Sequence, residues 1–331
     1  MERLNCVSND GALLKIERYC LQEGKAAGTQ MIRVCNDAGL EMHLVADRAL
    51  DISELRFRGV SIGYLSATGI THPSYYEPEG YGWLRSFYGG FLTTCGLDQV
   101  GEPCQVGSNS YGLHGRIANC PAEQLCTEVR REGDKLVGVI RGTIKQACQQ
   151  EEAYILRRTY YFTDDSAEFT FEDEIENQSG KEMPLQVLYH FNLGYPFLSP
   201  TLKMQLPESK TVAWDEASEE MCVDYSNCTD DREMTLMHLL TQKSSKERVV
   251  LQNQGIQLSL EFDGKQLPIL AQWRLLQPRE YILAFEPTNN HLRGLEWETK
   301  KGTSALLTPG EKVKYRFGII LEKIINNSVS N

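Results

Sequence analysis

No stretch of this 331-residue chain approaches the roughly 18 consecutive apolar residues of a membrane-spanning helix. The N-terminal residues MERLNCVSNDGALLKIERYC hold no apolar core of signal-peptide length, so a cytoplasmic protein that engages no membrane is expected. Basic blocks are missing too. Lysine and arginine are scattered, and 34 of them against 45 acidic residues leave a formal net charge of −11. That balance opposes a nucleic-acid partner, because such binders carry a basic patch or stripe. It also removes the polybasic signal for anionic lipid. The ten cysteines form no Cys-x-x-Cys pair, and the nearest neighbours, Cys120/Cys126 and Cys222/Cys228, lack zinc-site spacing. They are expected as reduced, free thiols with no metal between them. On that reading the Asn227-Cys228-Thr229 and Asn326-Asn327-Ser328 sequons are chance matches. Sustained βα alternation, heptads and fixed-period repeats are absent as well.

What is present is a globular composition, with 41% hydrophobic and 24% charged residues, arranged in short alternating runs. Residues 39–64 alternate apolar and polar side chains in several segments, which is strand periodicity. Residues 68–82 (TGITHPSYYEPEGYG) have the proline, glycine and tyrosine content of a long irregular loop. Two strands follow about Glu132-Gly133-Asp134, then three more with turns at residues 163–166 and 178–181. Arg157, Arg158, Glu172, Asp173, Glu174 and Glu176 read as their solvated faces. Residues 231–240 (DREMTLMHLL) are the best helix candidate, and strands resume at GIQLSLEF, ILAQWRLL, EYILAFEP, TSALL and KVKYRFGIILEKI. A single all-β domain spanning residues 1–331 is expected. Closing a dozen or more strand edges favours two large, mostly antiparallel sheets packed together.

The stretch 83–117 is denser in glycine and aromatic residues than a core requires. In Gly112-Leu113-His114-Gly115-Arg116 a histidine sits between glycines, which suit sharp bends and close backbone approach, so it is expected on display in a turn. Trp83, Phe87, Tyr88, Phe91 and Tyr111 could floor a ligand site. Two later segments pair an ionisable residue with an unusual setting. In Leu188-Tyr189-His190-Phe191-Asn192-Leu193-Gly194, alternation places His190, Asn192 and Gly194 on one strand face. In Leu283-Ala284-Phe285-Glu286-Pro287, a carboxylate ends an apolar strand, where it needs solvent or a partner, and Pro287 ends ladder donation.

These three segments, in this order, resemble the aldose 1-epimerase (galactose mutarotase) superfamily, whose members carry Leu-His-Gly, His-x-Phe-Asn-Leu and Glu-Pro motifs. The chain is closest to an uncharacterised aldose-epimerase-like branch. Its marks stand here as Asp47-Arg48-Ala49-Leu50-Asp51-Ile52, residues 89–97 and residues 112–117. The resemblance spans about residues 30–320 and implies a galactose mutarotase-like β-supersandwich. It implies His190 as general acid, Glu286 as general base, and His114 as a hydrogen-bonding partner of the sugar. Arg48, Asp51, Arg116, Trp273 and Asp215 are further candidates for substrate binding, with Trp83 and Asp98 beside them. The family's Leu-His-Gly-Gly reads Leu-His-Gly-Arg here, so contacts at one end of the sugar differ.

The implied activity is mutarotation of a monosaccharide or sugar derivative, without metal or other cofactor, by a monomer or homodimer. One proton leaves the C1 hydroxyl while another reaches the ring oxygen, and the open aldehyde rotates and recloses. A carboxylate and an imidazole can do both, exchanging roles on reclosure. Ordinary values of about 4.3 for glutamate and about 6.5 for histidine would leave the first ionised and the second able to supply a proton near neutrality. A non-catalytic carbohydrate-binding protein, or another sugar-active isomerase or lyase on the same fold, is the alternative, since fold does not fix function.

Overall fold

The computed structural model describes residues 3–219 and 232–324. Cys222, Cys228, both sequons and Asp231 lie outside the described residues. The alternating runs after residue 120 form a meander of four antiparallel strands, Ala122–Glu132, Lys135–Ala147, Ala153–Thr163 and Glu168–Asn177. Glu168–Asn177 also pairs with the C-terminal strand Lys312–Lys323, and Ile256–Phe262, Glu247–Asn253 and Lys203–Gln205 complete an eight-stranded sheet. Register aligns Tyr160, Phe171 and Phe317 across three neighbouring strands. Their rings form one side of the core, with Phe171 and Phe317 stacked 4.8 Å apart.

A seven-stranded sheet runs in the order Ser209–Ala213, Met234–Leu240, Ile269–Gln277, Glu280–Thr288 and Met183–Gly194. Leu92–Leu97 and Ala305–Leu307 also pair with Met183–Gly194. Tyr189 meets Phe317 of the first sheet at 4.4 Å between ring centroids, so the two sheets pack face to face. A five-stranded meander, Leu14–Cys20 through Val60–Ser61, adds Ile32, Val34, Leu44 and Leu55 to the same apolar cluster. This is the all-β, mostly antiparallel architecture that the alternation implied.

Two expectations are corrected. Met234–Leu240 is a strand, not a helix, because it is hydrogen-bonded on both edges, to Ser209–Ala213 and to Ile269–Gln277. Sheet pairing on both sides overrides a local helical preference. Arg158 and Asp173 are not solvated: both side chains are fully buried. Arg157, Glu174 and Glu176 do keep the part-exposed face. Among the described residues, eight cysteines are free thiols, and no helix is long and apolar enough to cross a membrane.

The central strand Met183–Gly194 positions the site. Apart from Pro184 it is buried along its length, because both of its faces are covered. Leu185, Val187, Tyr189, Phe191 and Leu193 point into the main core. The alternate face presents Leu188 to a second apolar cluster that includes Trp83, Phe87, Leu113 and Ala271.

Candidate active site

That second face carries a cleft of about 670 Å³. Strand register assembles its floor. The neighbouring pairs Leu188↔Thr288 and Phe191↔Phe285 place His190 opposite Glu286 across two adjacent strands. Their side chains meet with His190 Nε2 3.2 Å from Glu286 Oε1. Trp273, one strand further on, faces His190 edge-on at 5.7 Å between centroids. Ala271, the cross-strand partner of Glu286, belongs to the apolar cluster beneath this floor.

His114 reaches the same floor from the turn. Gly115 N–H closes back on Gly112 O at 3.3 Å, and the turn is tied to the Leu92–Leu97 strand by Gly96 N–H to His114 O at 3.0 Å. Gly115 has φ +72 and sits so close to Gly96 and Gln99 that a Cβ would lie 2.5 Å from a carbonyl oxygen, so only glycine fits. His114 itself holds φ 57, a left-handed conformation costing roughly 1–2 kcal/mol for a residue with a Cβ. Its Nδ1 accepts from Gly101 N–H at 3.4 Å, which assigns the proton of the neutral ring to Nε2, and the residue lines the cleft. The ring packs against Trp83 at 4.9 Å and stands 6.2 Å from His190. Phe87 stacks on Trp83 at 4.6 Å and completes the floor.

Polar atoms at this floor lack partners. Trp83 Nε1, His190 Nδ1 and Glu286 Oε1 are buried without any hydrogen bond, and their residues are 2%, 4% and 2% exposed. The close His190–Glu286 approach is therefore not a formed hydrogen bond. Each such atom costs about 1–3 kcal/mol, which marks a place where a ligand's hydroxyls would complete the bonding. Burial also inverts the expected protonation. Desolvation pushes the Glu286 carboxyl up to about 8, while His190 is pushed down to about 3 by desolvation and then by the His114 ring. His114 falls to about 4, again by desolvation. The ordinary values assumed from sequence do not hold, because both groups have left water, and at His190 the opposing effect of Asn192 is smaller than desolvation.

The other candidates divide. Trp273 lines the cleft, with its indole N–H donated to Glu233 Oε1 at 2.7 Å. Asp215 lines it as well, using Oδ1 to accept from Ser218 N–H at 2.8 Å. Arg48 does not reach it. Its guanidinium is buried and donates to the carbonyls of Ala118, Thr71 and Ser86, clamping three loops behind the site. Nor does Asp51, which is fully buried and bonded to Arg158 Nη1 and to Thr94 N–H and Oγ1. That arginine also makes a two-point contact with Asp173 at 2.7 and 2.6 Å. Arg116 is exposed and lies outside the lining. Asp98 is buried outside it, with its carboxyl pushed up by desolvation. Of the aromatic residues, Trp83 and Phe87 line the cleft. Tyr88 and Phe91 are core residues, and Tyr111 borders a smaller surface groove.

Sequence reasoning missed Glu102, Trp214, Arg232 and Glu233, all in the lining. Register gives the only signal for Glu233: Thr235 opposes Trp273, so the residue two earlier emerges beside that indole.

This sandwich of large, mostly antiparallel sheets has the galactose mutarotase-like fold. Solved structures agree. A candidate aldose 1-epimerase from Klebsiella pneumoniae superposes with a TM-score of 0.85 at 22% identity, covering 92% of this chain and 83% of that one. A galactose mutarotase-like protein from Clostridium acetobutylicum gives 0.66 at 13% identity, over 95% and 100% of the two chains. Galactose 1-epimerase from Lactobacillus acidophilus gives 0.62 at 14% identity, over 94% and 100%. The chain belongs to the family described as a domain of unknown function, DUF4432, whose model matches residues 26–321. No curated protein matches it in sequence.

Proposed function

We propose that this protein interconverts the anomers of a sugar by acid/base ring opening, with His190 and Glu286 as the proton-transferring pair and His114 as a hydrogen-bond donor to the sugar. The observation that carries this reading is the floor itself, where unpartnered Trp83 Nε1, His190 Nδ1 and Glu286 Oε1 border one cleft with His114. A polyhydroxylated ring offers donors and acceptors to all of them, and its apolar face suits the Trp83 and Trp273 indoles.

In this mechanism the pair carries one proton between about pH 3 and pH 8. One partner accepts the C1 hydroxyl proton while the other delivers its proton to the ring oxygen, and reclosure runs the transfers backwards. Burial favours the proton on Glu286 over His190. A sugar hydroxyl donating to that carboxyl stabilises its ionised form, which moves the proton toward His190 and sets Glu286 as the base for the first step. Mutarotation measured by polarimetry or saturation-transfer NMR across a panel of anomerically pure aldoses tests the proposal. Accelerated exchange of at least one sugar supports it, and binding without acceleration would reduce the protein to a carbohydrate-binding module.

A further inference from the structure

The mouth of the cleft is acidic. Asp215, Glu233 and Glu102 line it, and Arg232 is the one arginine or lysine among the described residues of the lining. Each carboxylate is anchored by a neutral donor. Asp215 takes Ser218 N–H at 2.8 Å, Glu233 takes the Trp273 indole N–H at 2.7 Å, and Glu102 takes the Tyr81 hydroxyl at 2.5 Å. These contacts engage one oxygen of each carboxylate with a donor that carries no positive charge. Of the two arginines that the sequence offered for an anion, Arg48 is spent on three backbone carbonyls and Arg116 lies outside the lining. The cleft is also a built site, because buried Glu286 Oε1 and His190 Nδ1 at its floor have no partners.

Resting on the mutarotase reading of the same site, we propose that the sugar it takes carries a protonated amine rather than a carboxylate or phosphate. The ammonium is held by the mouth carboxylates while the ring lies over His190 and Glu286. A charge-assisted N–H···O bond is stronger than a neutral one, whereas an anion entering this mouth meets three carboxylates against one arginine, Arg232.

The test is calorimetric titration of the whole chain at pH about 6.5 with galactosamine, glucosamine, galactose, glucose, galacturonate and galactose 6-phosphate, at low and at elevated salt. At least one amino sugar is expected to bind about tenfold tighter than its neutral parent, the ratio for one hydrogen bond to a charged group. That advantage should shrink at high salt, and the two anionic sugars should bind weakest. Asp215→Asn and Glu233→Gln should each lower the ratio of the two dissociation constants within the variant, with a thermal melt beside each to show that the fold is kept. Equal binding of amine and parent, or tighter binding of either anion, overturns this inference. Neutral sugars that bind and interconvert without any amine advantage would leave the mutarotase reading standing, whereas binding of none of the six overturns both.

Discussion

Glu286→Gln separates stability from catalysis. Burial holds the carboxyl at about 8, so between about pH 4.5 and pH 8 the folded chain keeps a proton that the unfolded chain has released. More protons bound in the folded state means that stability falls as pH rises through that window, by at most about 1.4 kcal/mol per unit, and is flat above it. An amide carries no such dependence. The variant is therefore expected to match or exceed wild type in stability at pH 8, with its advantage shrinking toward pH 5. Its turnover should drop by roughly 10²–10⁴-fold, in kcat more than in KM, because the amide can still bond a hydroxyl but cannot accept the C1 proton. Urea melts at the two pH values and saturation-transfer NMR on an accepted sugar read out the two effects. A stability difference that does not change between pH 5 and pH 8 would show that the carboxyl is not held in its neutral form. Wild-type turnover at unchanged stability would place the base elsewhere.

Other consequences are equally open to measurement. The pH profile of kcat/KM should show a plateau with limbs near 3 and 8, the values of the coupled pair; limbs near 4.3 and 6.5 would restore the ordinary values. His190→Asn should lose turnover to a similar degree as Glu286→Gln. The double variant should lose less than the product of the two single losses, since neither group alone completes the relay; full multiplicativity would argue against a pair. Arg48→Met strands three carbonyls and should lower the melting temperature while leaving KM nearly unchanged for the fraction that folds, whereas a raised KM at unchanged stability would return Arg48 to the sugar. Alkylation under denaturing conditions without reductant should label all ten cysteines, and two or more protected thiols would contradict the compartment expected from sequence.

The sheets were legible because side-chain period reports directly on which faces are buried, and most turns announced themselves through glycine and aspartate. Met234–Leu240 misled because an apolar run bonded on both edges has no exposed face to break its pattern, so nothing local tells a central strand from a helix. Arg158 and Asp173 misled for the converse reason. Alternation marks inside from outside only when inside is apolar, and here register places a bidentate ion pair between two strands. At the site, His114, His190 and Glu286 were readable from short motifs, whereas Glu102 and Glu233 arrive at the mouth through long-range register and leave no local trace. The same applies to protonation: a sequence supplies a residue's ordinary pKa but not the desolvation that moves it.

Two buried ionic clusters in this chain show what distinguishes a structural group from a reactive one. Around Arg158, every charge meets an opposite charge or a donor. Asp173 takes the forked guanidinium and the Tyr189 hydroxyl, and Asp51 takes Arg158 together with both donors of Thr94. Breaking such a cluster by removing one partner typically costs about 3–5 kcal/mol, and its chemistry is exhausted by its own bonds. Around Glu286 the residues are as deeply buried, yet the carboxyl oxygen nearest His190 and the far nitrogen of that ring have no partner. A fold stable enough to tolerate those unmet groups gains nothing from them until a ligand arrives. Asp51 and Glu286 are both buried carboxylates with raised pKa values, so burial and perturbation alone do not choose between them. Unspent hydrogen-bonding capacity facing a cleft does, and that is why Glu286, not Asp51, is proposed as the base.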